Sequence, residues 1–140
     1  MPNQFNLDRF VEAQDPIYNR VLSELRRGQK RSHWMWFIFP QIRGLGHSKL
    51  AMQFSILNQE EARAYLRHPI LGPRLHECTT MVLKTDARSI AEIFGSPDDL
   101  KFRSSMTLFD FVAPGTVFGQ ALRKFFDGQG DQTTLGALKK

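Results

Sequence analysis

Apolar residues recur at three- and four-residue spacing through most of this chain, the spacing of one face of an α-helix. Ile17, Tyr18, Val21, Leu22 and Leu25 keep that period and stop at Gly28, a residue suited to the left-handed turn that closes a helix. Ahead of them a first helix starts near Asn6, with Phe10 and Val11 inward. Asp15-Pro16 reads as an N-cap followed by proline at the first helical position. Ser48 caps a short segment through Leu57, and Asn58 with Glu61 resembles a capping box for a helix carrying Ala62, Tyr65 and Leu66. Pro69 opens a helix with Ile70, Leu71, Leu75, Cys78, Val82 and Leu83, if Pro73 falls in its first turn.

Ser89 begins a brief helix ended by Gly95. Ser96-Pro97-Asp98-Asp99 has the composition of a helix start: cap, proline, then two acids at the positive end of the dipole. That helix runs towards Pro114. Thr116 begins the next, with Val117, Phe118, Leu122, Phe125 and Phe126 inward, and a final short helix carries Leu135 and Leu138. Residues 33–39 favour strands by type, but no partner strand is evident, so the helical reading is preferred there. Residues 40–48 read as a loop. The expected fold is mainly α, a compact array of short helices forming one domain over 1–140.

Composition narrows the class. The chain has 140 residues, 41% of them hydrophobic and 24% charged, which is globular and not disordered composition. Its single cysteine, Cys78, excludes an internal disulfide and fits a reducing compartment. The opening residues lack a signal peptide's basic start and apolar stretch. The apolar run Trp34–Phe39 is far short of the roughly 20 residues that span a bilayer. A cytoplasmic monomer without membrane attachment is expected.

Two segments carry a resemblance, Lys30-Arg31-Ser32-His33-Trp34-Met35-Trp36-Phe37-Ile38-Phe39-Pro40-Gln41 and Ser96-Pro97-Asp98-Asp99-Leu100-Lys101-Phe102-Arg103-Ser104-Ser105-Met106-Thr107-Leu108-Phe109. Together with Glu61-Ala62, Leu71-Gly72-Pro73-Arg74-Leu75 and Thr134-Leu135 they resemble an uncharacterised bacterial family, a domain of unknown function that sometimes bears a calpastatin-like label. The resemblance spans nearly the whole chain and implies a single-domain helical fold with no established activity. A calpastatin-type inhibitor would be long and disordered, unlike this composition. A fainter similarity links the histidine amid aromatics, the Glu-Ala helix and the Leu-Gly turn to helical N-glycosidases of ADP-ribose and riboflavin-pathway intermediates. Those enzymes place glutamate directly before the histidine, where this chain has Ser32.

Standard chemical motifs fail. Gly44-Leu45-Gly46-His47-Ser48-Lys49 lacks the third glycine of a dinucleotide loop, and there is no P-loop. His76 and Cys78, two apart on a helix, point in different directions and would not share a metal. No metal or cofactor is expected.

The formal net charge of +5 directs attention to cations. Lys30, Arg31, His33, Arg43 and His47 interleave with Trp34, Trp36 and Phe39, a mixture suited to a small phosphate-bearing, nucleotide-like ligand. Lys101, Arg103, Ser104, Ser105 and Thr107 interrupt an otherwise apolar helix, as hydroxyls facing a pocket or as close packing would require. The candidate ligand residues are therefore His33, Trp34, Trp36, Arg43, Lys101, Ser104 and Ser105, expected to converge in one pocket. Two alternatives stand beside this reading. One is an N-glycosidase-like hydrolase of a nucleotide-derived substrate, for which Glu12, Asp98 and Asp99 are the acids to inspect. The other is a nucleic-acid or protein interaction module using the basic Arg26–Arg31 face. That group is short and matches no nucleic-acid motif, so nucleic acid is the less favoured partner.

Overall fold

The computed structural model describes residues 5–85 and 89–139; residues 1–4, read above for a leader, lie outside them. Ten helices occur among the described residues: α1 (Asp8–Gln14), α2 (Tyr18–Arg27), α3 (Met35–Ile38), α4 (Lys49–Gln53), α5 (Gln59–Arg67), α6 (Leu71–Leu83), α7 (Ile90–Phe94), α8 (Asp98–Val112), α9 (Val117–Phe126) and α10 (Gln132–Leu138). Strand pairing there amounts to one parallel bridge, Ile42 with Ile56. The fold is mainly α.

The longest helix, α8, runs through the middle. Residues 104–109 are all buried, so the helix is covered on every side rather than along one stripe. It packs against α9, α10, α7, α5 and α3, while α6 packs against α2, α5 and α9. The serines and threonine of α8 suit this crowding because they are small. Ser104 Oγ donates to Leu100 O at 3.2 Å and Thr107 Oγ1 to Arg103 O at 2.8 Å, so both hydroxyls are satisfied within their own helix. Around Phe102 the core is aromatic: Phe39 meets it edge-on at 5.0 Å and Phe94 stacks on it at 4.9 Å. Each such buried ring stabilises the fold by about 1.5–3 kcal/mol relative to exposure.

The helix in 33–39 exists but is one turn long, Met35–Ile38, with Trp34 at its N-cap position. Pro73 does fall in the first turn of α6, where its missing N–H would lack an intrahelical partner anyway. Ser89 and Glu92 form a full capping box.

Several expected boundaries shift. Asp15 keeps helical backbone angles, which an N-cap does not have, and closes α1 instead. Its carboxylate pairs with Arg74 at 2.9 Å, and α2 begins at Tyr18. Ser96 does not cap α8: the Ser96–Pro97 bond is cis and Pro97 itself holds the N-cap position, with Asp98 and Asp99 in the first turn. The Ser48 segment stops at Gln53, because Ile56 leaves helical geometry to pair with the 41–43 strand segment (Ile56 N to Gln41 O and Arg43 N to Ile56 O, both 2.8 Å). Asn58 caps Glu61 N at 2.9 Å, but Glu61 returns its bond to Leu57 N, not to the cap residue's own N–H. The Thr116 side chain bonds Ala113 O and caps nothing. No described helix is long and apolar enough to cross a membrane.

Candidate functional site

The two sequence segments singled out above do meet. Lys30 Nζ lies 2.8 Å from Asp98 Oδ2, and Lys101 Nζ lies 3.5 Å from Asp98 Oδ1, so one carboxylate at the start of α8 sits between two ammonium groups. Each lysine also stands over an indole, Lys30 over Trp34 at 5.2 Å and Lys101 over Trp36 at 4.8 Å. Attraction between cation and ring face adds to the ion pairs. Asp98 is thereby the pin that holds the α8 start against the aromatic run.

Beneath this joint lies Glu24, 7% exposed. Its Oε1 accepts from Arg31 N (2.8 Å), Ser32 N (3.1 Å) and Trp34 Nε1 (2.8 Å), and its Oε2 accepts from Ser32 Oγ (2.5 Å). Burial pushes this acid up, but the Ser32, Arg31 and Trp34 hydrogen bonds outweigh it and hold the carboxyl below its usual range. Glu24 thus fixes the course of residues 31–34 and the orientation of Trp34.

Beside the joint is a cleft of about 360 Å³ between α1, the 41–46 loop and α4. Its walls include Trp36, Arg43, Phe54, Arg9 and Glu61. Arg9 is not available to a ligand. Its Nε donates to Gln53 O, Nη1 to Phe5 O and Asn6 O, and Nη2 to Ser55 O and to Glu61 Oε2 at 3.0 Å. All five guanidinium donors are engaged. Glu61 is equally committed, with Oε1 accepting from Leu57 N at 2.7 Å. The Arg43 guanidinium, by contrast, is exposed at the cleft and has no side-chain partner among the described residues.

A second cavity, about 190 Å³, adjoins the first and shares Gln41 and Leu45 with it. Lys101, Ser104, Asp131 and Thr133 line its other sides.

The seven candidate residues therefore divide. Trp36 and Arg43 line the cleft, and Lys101 and Ser104 line the adjoining cavity. Trp34 and Ser105 line neither, being fully buried in the core. The Ser105 hydroxyl has no hydrogen-bond partner among the described residues. His33 is exposed and lines neither cavity. Of the acids inspected for hydrolysis, Glu12 is exposed away from both cavities and Asp98 is paired with lysines. The basic group divides too: Arg26, Arg27 and Arg31 are exposed, whereas Lys30 is drawn into its ion pair.

Sequence reasoning passed over Glu24 and Gln14, and read Glu61 as a capping acid and not as the partner of Arg9. A signal existed, since each is a polar residue set in an apolar stripe: Glu24 between Val21 and Leu25, Gln14 four after Phe10, Glu61 four before Tyr65. Gln14 Nε2 donates to Phe37 O at 2.6 Å and Tyr65 Oη at 3.1 Å, and its Oε1 accepts from Arg74. Among the described residues, no three His, Cys, Asp or Glu gather as metal ligands would.

Fold and cleft together define a small helical domain built around a central buried helix, with a two-part recess on one side. Residues 4–138 match the protein family of unknown function DUF1810, and the chain belongs to that family. It is 53% identical to the conserved hypothetical protein Rv1873 from Mycobacterium tuberculosis, whose crystal structure at 1.38 Å it matches with a TM-score of 0.97 over 99% of each chain. No curated protein matches it.

Proposed function

We propose that the chain binds a small anionic ligand carrying a flat ring, of the kind a phosphate-bearing nucleotide represents, in the cleft between α1 and α4. The observation that carries this reading is Arg43, a guanidinium with no side-chain partner among the described residues, on a wall shared with the half-buried ring of Trp36. A guanidinium grips a phosphate through paired donors, and an indole face accepts a planar group. The cleft's size is that of small-molecule sites. Binding is favoured over N-glycosidic hydrolysis because the acid on the cleft wall, Glu61, has both oxygens engaged, and hydrolysis needs a carboxyl free to move a proton.

Thermal unfolding with adenosine and uridine mono- and diphosphates, the matching nucleosides and inorganic phosphate tests this. A phosphate-bearing nucleotide at a hundredfold its Kd stabilises the native state by about 2.7 kcal/mol and raises Tm accordingly. Arg43→Ala, at an exposed position, leaves the unliganded Tm unchanged and abolishes the rise. A flat response to the whole panel, or a rise that survives in Arg43→Ala, overturns the reading.

A further inference from the structure

We propose that the adjoining cavity is a second chamber of the same site and takes a hydroxyl-rich group, so that the ligand class is a nucleoside diphosphate sugar. This rests on the reading of the cleft given above. Gln41 and Leu45 are walls of both recesses, so the two lie side by side and a ligand long enough to pass Gln41 would reach from one to the other. At the divide Lys101 stands over Trp36, whose ring belongs to the cleft while the lysine belongs to the chamber. A diphosphate spanning the two would have Arg43 on the cleft side and Lys101, whose ammonium also pairs with Asp98, on the chamber side.

The chamber's polar groups differ in kind from those of the cleft. The Gln41 carboxamide has no partner among the described residues and offers donors and an acceptor. Asp131 uses only Oδ2 to cap α10, accepting from Thr134 N at 3.0 Å and Thr134 Oγ1 at 2.5 Å, which leaves Oδ1 as an acceptor. The exposed Thr133 hydroxyl can donate or accept. A second phosphate would be repelled by Asp131, whereas sugar hydroxyls both donate and accept and so match every one of these groups. Leu100, 57% exposed at the same chamber, supplies an apolar face for the C–H side of a sugar ring.

Titration calorimetry with uridine and adenosine diphosphates, each compared with its glucose conjugate, decides the matter. The native protein is expected to bind one conjugate at least tenfold more tightly than the bare diphosphate. Thr133→Ala, which removes a chamber side chain that has no partner among the described residues and is not part of the cleft, brings that ratio towards one while leaving the diphosphate affinity unchanged. Asp131→Asn, which keeps a capping oxygen, lowers the ratio as well. Equal affinity of diphosphate and conjugate, or a ratio that survives in Thr133→Ala and Asp131→Asn, overturns the two-chamber assignment and leaves the cleft reading standing. If monophosphates bind and no diphosphate or conjugate does, this inference alone falls; if no phosphate-bearing nucleotide binds at all, the cleft reading falls and this inference with it.

Discussion

Replacing Glu24 by alanine strands four donors: Arg31 N, Ser32 N, Ser32 Oγ and Trp34 Nε1. A hydrogen bond to a charged group contributes about 1.5–3 kcal/mol. Four such bonds do not simply add, because water enters the gap and the loop relaxes, so the expected loss is about 3–5 kcal/mol, well below the sum of four. Against a typical domain stability of about 5–15 kcal/mol that is a large share. With an ordinary urea dependence it moves the unfolding midpoint by roughly 2 M. Glu24→Gln is the informative control. Its amide oxygen can stand where Oε1 stands, and its amide nitrogen can donate to a reoriented Ser32 hydroxyl, so only the charge is lost, at a cost of about 1–2 kcal/mol. The pH dependence separates the two effects. The folded-state acid is stronger than the unfolded one, so its contribution is complete above the ordinary glutamate range and is lost as pH falls through the folded value. The urea midpoint of the native protein should therefore drop further on acidification than that of Glu24→Gln. A loss under 1 kcal/mol for Glu24→Ala, or equal losses for Ala and Gln, would refute the hub role.

Other positions give sharp outcomes. A Cβ on Gly72 would stand 2.1 Å from Leu66 O, and since the obstacle is backbone, Gly72→Ala should cost about 3 kcal/mol by urea unfolding; an unchanged midpoint would mean α5 and α6 are not so close. Arg9→Lys keeps the charge but not the five-donor fork, so Tm should fall by an amount equivalent to about 2–4 kcal/mol; a neutral result would show those bonds to be idle. Burial pushes the Cys78 thiol up to about 12, so alkylation by iodoacetamide at pH 8 should be very slow in the native state and prompt in urea; fast native labelling would contradict the packing.

The helical class was legible because hydrophobic period is a local property, and capping residues with good local geometry, Ser89 and Asn58, announced their helices. Boundaries failed where tertiary contacts overrode local preference. Asp15 serves Arg74 from a distant helix, and Ile56 abandons helix to pair with residues 41–43. The Lys30 and Lys101 segments touch through Asp98, and not around His33 as their mixture of rings and cations suggests. Their detailed sorting was not legible, because nothing local tells Trp34, turned inward by Glu24, from Trp36, two residues on and turned to the cleft. Likewise the α8 hydroxyls could have faced a ligand or their own helix, and Ser104 and Thr107 chose the latter.

That opposed pair of tryptophans has a practical consequence, since the chain contains no others. Trp34, 1% exposed, is a dry chromophore whose emission should lie to the blue and change only when the whole domain opens. Trp36, partly exposed beneath the Lys101 ammonium, lies on the wall of the recess. Its red-edge fluorescence, and its quenching by iodide, should respond to anything that enters the cleft or displaces the lysine. One molecule therefore carries two optical gauges, one for folding and one for occupancy, readable without a label.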